Sequence, residues 1–286
     1  MNNILKKLND FSELVMFKHS IFSLPFIFIA MVVAANGWFG WRLFFLGILA
    51  AVTARNFAMA FNRYLDRDID SQNPRTENRP NVDGRLSAKS IFIFTFLNAL
   101  GFIIVAAFVN KLALMLSVPI LLVIGSYSYF KRFSYFAHLI LGVSLGLAPI
   151  AGVVAVSETI TLWSVCLSIG VMFWVAGFDL LYSLQDIDVD KKLGLHSVPS
   201  VFGAKNTMLF SKIAHSFTVL FWLLFVINSN SGAFAYFAVI VSAVMLSYEH
   251  YLVNKDFRKI DKAFFTVNGY LGIIFFILIL IDTITK

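Results

Sequence analysis

Nine apolar blocks divide this 286-residue chain, at roughly 20–36, 43–61, 91–109, 112–130, 136–156, 160–182, 207–228, 233–252 and 264–282. A transmembrane helix needs about 20 mostly apolar residues. Lipid offers no partners to open backbone groups, so blocks of this kind are read as helices. An outer-membrane barrel would show short alternating strands instead. Charged residues make up 14% of the chain, against about a quarter in soluble domains. The expected fold is therefore all-α: one polytopic membrane domain over residues 1–286, a bundle of nine transmembrane helices. Lys6 and Lys7 before the first block mimic a signal peptide. The polar residues between them and the block, and the many spans that follow, favour an uncleaved first span.

Orientation follows from the basic residues. With the N-terminus inside, only Arg42, Lys111 and Lys286 fall on the outer face, and Arg55 lies within a span. Every other Lys and Arg falls on the inner face, which predicts a cytoplasmic N-terminus and an external C-terminus. The net charge of +7 is thus explained by topology, and no nucleic-acid partner is expected. The two long connections, about 62–89 and 183–206, are both cytoplasmic, whereas the external links are short. Long connections in compact domains tend to carry function, so the site is expected on the cytoplasmic side. The single cysteine, Cys166, lies inside an apolar block and is read as a packing residue.

The two inner connections begin alike. NRYLDRDID at Asn62–Asp70 and YSLQDIDVD at Tyr182–Asp190 are offset by 120 residues and follow the second and sixth spans, a weak internal repeat of a four-helix unit with one span added. On a continuing helix Asn62, Asp66 and Asp70 share a face, as do Tyr182, Asp186 and Asp190. Asp68 and Asp188 point elsewhere. Crowded carboxylates repel one another, so a bound cation or a basic partner is expected. Two such faces turned together make an oxygen-rich cage suited to Mg²⁺, which favours carboxylates, water and substrate phosphates. Solvated acidic loops are the plainer reading.

Phosphate needs cations. Tyr127, Lys131 and Arg132 close the fourth span, and Arg75 and Arg79 lie in the turn-rich NPRTENRP segment. Membrane anchoring and a plain surface loop are the alternatives to phosphate binding. Arg55 lies seven residues before Asn62, and Asp179 seven before Asp186. Each is thus about two turns deeper on its stripe. Charges at that depth face a partner or a cavity. The two are expected either to pair with each other or to touch the polar part of a second substrate. His19 and His138 are read as packing histidines ahead of cavity groups.

These motifs resemble the UbiA superfamily of membrane prenyltransferases. Its N-x-x-x-D-x-x-x-D motif is here Asn62, Asp66, Asp70; its second motif is Tyr182, Asp186, Asp190; and its tyrosine-to-KR element is Tyr127, Lys131, Arg132. FKHSIFSLPF near the N-terminus and LGLHSVP at Leu193–Pro199 look more like the 4-hydroxybenzoate polyprenyltransferase-like branch. Some members of that branch act on 1,4-dihydroxy-6-naphthoate. The first span departs from the KPIG-type start, and Ser128 stands where the KR element usually has proline. The resemblance implies Mg²⁺-dependent transfer from a polyprenyl diphosphate to an aromatic acid in respiratory quinone biosynthesis, by an enzyme of the inner (cytoplasmic) membrane with its site facing the cytoplasm. It implies metal ligation by Asn62, Asp66, Asp70, Asp186 and Asp190. Lys131 with Tyr127 would stabilise the leaving charge, Tyr182 would join the substrate site, and Arg132, with Arg55 second, would take the acceptor carboxylate. A haem- or chlorophyll-type prenyltransferase on the same fold and a cation transporter are the alternatives.

Overall fold

The structure, a computed structural model, describes residues 3–16 and 24–286. It is helical, with helices α1 (Asn3–Leu14), α2 (Leu24–Ala35), α3 (Trp41–Leu65), α4 (Arg67–Asp70), α5 (Ala88–Val109), α6 (Lys111–Phe130), α7 (Ala137–Ser157), α8 (Leu162–Tyr182), α9 (Ile187–Leu193), α10 (Val198–Asn228), α11 (Ala233–Lys255) and α12 (Asn268–Thr285). Eight helical stretches among the described residues are long and apolar enough to cross a membrane. The first predicted span is represented by α2, whose 12 residues reach only about 18 Å, shorter than the hydrocarbon core of about 30 Å. The rest of that block, with His19, lies outside the described residues.

The short links between α5 and α6 and between α7 and α8 arise from local capping. Asn110 closes α5 and caps α6 through the Ala113 amide at 2.7 Å. Thr161 and Ser164 form a reciprocal capping box at the start of α8. The connection at 183–206, expected as a loop, is instead mostly helical: a 3₁₀ turn over Ser183–Asp186, then α9 and the start of α10. Gly203 interrupts α10 at φ 78°, ψ 166°, a conformation that costs glycine little. The helix α1 was not anticipated. It carries buried Asp10 and Leu14 on one side and exposed Leu5 and Leu8 on the other. Arg85 anchors it through Glu13 at 2.6 Å.

Apolar side chains do not drive helices together in lipid, so association rests on close packing and on polar contacts. An aromatic knot fills the core, with Phe26 of α2 5.0 Å from the Trp174 ring and Trp222 4.6 Å from Phe275. Trp174 donates Nε1–H to Asn268 Oδ1 at 2.7 Å, which satisfies the indole. Cys166 is buried in this core, as expected. The helices α7 and α8 approach so closely that a Cβ on Gly142 would stand 2.3 Å from the Met172 carbonyl oxygen. Phe96, Leu122 and Ile284 are exposed, as suits a lipid-facing surface.

Candidate active site

Although α3 ends at Leu65, its hydrogen-bond ladder carries on through the first motif. Asp66 N–H donates to the Asn62 carbonyl at 2.9 Å and Asp70 N–H to the Asp66 carbonyl at 2.7 Å. Asn62, Asp66 and Asp70 therefore keep one face. Asn62 Nδ2 donates to Asp66 Oδ2 at 2.7 Å. Lys131 Nζ approaches the same oxygen at 2.5 Å. Asp66 is 1% exposed, and its Oδ1 accepts no hydrogen bond. Burial pushes its carboxyl above the usual range, with Lys131 pulling the other way. Asp70 binds Arg79 at 2.7 Å and accepts from Asn81 at 3.0 Å. Burial and neighbouring Arg63 lower the Arg79 guanidinium to about 10.

The second motif meets the first through the 66–87 segment. Arg75 spans Asp186 and Tyr182, with Nη2 2.5 Å from Asp186 Oδ2 and Nη1 donating to the Tyr182 hydroxyl at 2.7 Å. Burial acts to lower the pKa of Arg75, but the charges of Asp186 and Tyr182 outweigh it and the net shift is upward. Asn73 donates to Asp186 Oδ1 at 2.9 Å. Asp190 lines the same cavity as Ser197, at the start of α10. Asp68 and Asp188 are exposed, as their helical positions predicted.

Both motifs line one polar cavity of about 1530 Å³, together with Lys131, Arg75, Arg79, Tyr127, Tyr182 and Arg55. An apolar cavity of about 810 Å³ lies against it, sharing Arg55, Met59, Tyr127, Leu141 and Leu145. A further apolar space adjoins that one through Ile27, Ala50, Phe102, Ile120 and Ala151. The polar chamber thus leads into a passage walled by hydrocarbon side chains.

Three expectations need correcting. Asp179 does not pair with Arg55; His138 Nδ1 lies 2.7 Å from its carboxylate. Val198 N–H donates to His138 Nε2 at 3.4 Å, so Nδ1 carries the ring proton and donates to Asp179. His138 is therefore a cavity group rather than packing. Arg132 is turned onto Asp68, with both terminal nitrogens within 2.9 Å of its carboxylate. Its Nη2 also donates to the Leu65 carbonyl at 2.8 Å and stands 3.7 Å from Asp66 Oδ1, and it is absent from the residues lining the polar cavity. Among the described residues no three Asp, Glu, His or Cys side chains stand grouped as metal ligands; basic side chains hold Asp66, Asp70 and Asp186. Arg63, Asn73, Asn81 and Ser197 were missed in the sequence. Their signal was only a polar residue in a turn or a charge at a helix end, and neither tells which carboxylate it will meet.

The description "UbiA prenyltransferase family" fits residues 23–280. The chain belongs to the UbiA prenyltransferase family. It is an enzyme of the prenyl-transferring class, which sets the transporter reading aside. A 4-hydroxybenzoate octaprenyltransferase of Herminiimonas arsenicoxydans is 26% identical over 259 residues, 90% of each chain. The apo structure of a UbiA homologue from Aeropyrum pernix K1 superposes with a TM-score of 0.84 at 31% identity, covering 93% of this chain and 98% of that one. A UbiA homologue from Archaeoglobus fulgidus, solved with GPP and Mg²⁺, shares the fold with a TM-score of 0.75 at 17% identity over 94% of this chain and 99% of that one.

Proposed function

We propose that this UbiA-family protein transfers a polyprenyl group from its diphosphate to an aromatic acid of the 4-hydroxybenzoate or dihydroxynaphthoate class, with Mg²⁺, on the cytoplasmic side of the inner membrane. One observation carries the reading: carboxylates from two distant motifs and five Lys and Arg side chains face a single chamber that adjoins an apolar passage. Such a chamber suits a molecule with a highly charged head and a long hydrocarbon tail.

The donor set fits a hard divalent ion. All the candidate ligands are oxygens, from Asn62, Asp66, Asp70, Asp186 and Asp190. The buried Oδ1 of Asp66 lacks a hydrogen-bond donor, as an oxygen kept for a cation would. When bound, Mg²⁺ would supply Lewis-acid neutralisation of the diphosphate. Lys131, Arg75 and Arg79 now neutralise the carboxylates. Once a metal took up the carboxylates, these three side chains would be free to hold diphosphate oxygens, Arg through paired N–H groups and Lys as a point charge.

The chemistry then follows from placement. The bond from prenyl C1 to the diphosphate oxygen breaks and its electron pair leaves with the diphosphate, against Lys131 and the arginines. A ring carbon of the acceptor supplies the pair for the new bond to C1. The ring then loses its proton and regains aromaticity. The apolar walls of Met59, Leu141 and Leu145 exclude water that would quench the allylic cation. Arg55 is the group for the acceptor carboxylate, because it stands where the two cavities meet and its buried Nε has no partner.

Positive charge concentrated on the connections after α3, α6, α8 and α11 supports the cytoplasmic assignment. The test is mass spectrometry of products from purified protein given one polyprenyl diphosphate and a panel of aromatic acids and tetrapyrroles. Prenylated aromatic acid is expected. Product from a tetrapyrrole alone would overturn the assignment.

A further inference from the structure

A second polar site lies away from this chamber. The helices α10 and α11 flank an open groove of about 1130 Å³ whose lining residues include none of the catalytic chamber's. It is unusual for a membrane-spanning pair because its rim is polar. Exposed Lys212 and Ser216 face it from α10, and Ser247 and Asn254 from α11. Val219, Ala243 and Leu246 make it apolar elsewhere. No ion pair reaches Lys212 among the described residues, and no carboxylate lines the groove. Glu249, beside His250, turns into the core and accepts from Asn268 at 2.8 Å.

The floor holds a histidine pair whose hydrogen bonds can be followed atom by atom. His215 Nε2 lies 3.3 Å from the Trp174 carbonyl oxygen, which only accepts, so Nε2 carries the proton. A neutral His215 then offers Nδ1 as an acceptor. Its partner is His250 Nε2 at 3.0 Å, which must be the donor. That leaves the His250 Nδ1 lone pair as the last link of the chain, buried and without a donor. His250 is 9% exposed and lines the groove; its Nδ1 is itself covered, so a small shift of the ring is needed to bring it to a donor in the groove.

The groove lies toward the helix ends that carry the two aspartate motifs. Ser211 donates to the Gly177 carbonyl at 2.7 Å, level with a point about 8 Å from the end of α8 at Tyr182. His250 is likewise only five residues from the end of α11 at Lys255. A cation, hydroxyls and an unmet acceptor near the ends of two spans, beside the apolar Val219, Ala243 and Leu246, match a headgroup with its acyl chains.

We propose that this groove binds a glycerophospholipid, with the phosphate at Lys212 and an adjacent N–H or O–H donor of the headgroup satisfying His250. The site is independent of the prenyl-transfer reading.

The test uses the full chain, purified and delipidated, with bound lipid counted by native mass spectrometry. Phosphatidylethanolamine and phosphatidylcholine share a phosphate and a zwitterionic charge, but only the former carries N–H donors. Phosphatidylethanolamine is expected to bind about fivefold more tightly. Lys212→Gln should weaken both by about fivefold, and His250→Phe should abolish the preference between them. If His250→Phe does not fold, the preference of the unaltered protein carries the same test. Equal binding of the two lipids, or undiminished binding by Lys212→Gln, would overturn the proposal. So would competition by free glycerol phosphate at the lipid's own concentration, which would assign the groove to a soluble phosphate.

Discussion

Asp66 is the most enclosed carboxylate of the two motifs, and its two oxygens live differently. One is held by Lys131 and Asn62, while the other accepts no hydrogen bond. Replacing it by alanine removes a ligand and leaves Lys131 without its partner. Asp66→Ala, like Asp186→Ala, is expected to lower turnover by at least about a hundredfold while circular dichroism still reports a folded helical protein. Near-normal turnover in either variant would remove these residues from the reaction. Arg55 makes a different prediction, because the proposed reaction puts it against the acceptor and not the diphosphate. Losing a charge-assisted hydrogen bond costs about 1.5–3 kcal/mol, so Arg55→Gln should raise KM for the aromatic acid by about ten- to a hundredfold. KM for the prenyl diphosphate should stay close to its original value. A rise confined to the prenyl diphosphate would place Arg55 on the wrong substrate.

Helices α7 and α8 show how the bundle fixes the site. His138 leaves the first turn of α7 and Asp179 the last turn of α8, so their hydrogen bond depends on how closely the helices pack. Gly142, one turn on from His138, permits that approach. Gly142→Ala forces its methyl group against the Met172 carbonyl. Overpacking of this kind costs about 1–3 kcal/mol, read as a lower thermal midpoint in detergent. An unchanged midpoint would show that the helices separate without cost. The segment 66–87 is the other positioning element. It carries Asn73 and Arg75 to Asp186, and so ties the end of α3 to the end of α8.

For the molecule as a whole, charge exchange and orientation decide function. On the proposed reading, carboxylates now paired with Lys and Arg would need metal before those cations could turn to a diphosphate. Chelation with EDTA should therefore abolish product formation, and Mg²⁺ should restore it; turnover that persists in EDTA would contradict the exchange. Orientation has its own test, helped by Cys166 being buried. A cysteine placed at exposed Lys192 should react with an impermeant maleimide only from the cytoplasmic side. One placed at Ile160, 53% exposed at the other end, should react only from the outside. The reverse pattern would invert the topology.

Helical class, the order of the spans and the two aspartate stripes were legible in the residues, because hydrocarbon thickness and backbone hydrogen bonding leave few solutions for long apolar blocks. The i, i+4 spacing likewise survived the breaks after α3 and α8, since a helical ladder fixes the face on which each carboxylate stands. Partner choice was not legible. Asp179 met His138 and not Arg55, Arg132 was taken by Asp68, and Asp186 was reached by Arg75 from more than a hundred residues away. Many basic groups are close enough in charge and reach to serve any of these carboxylates. Only the packed positions of the helices, set by small residues and interlocking aromatic rings, select one.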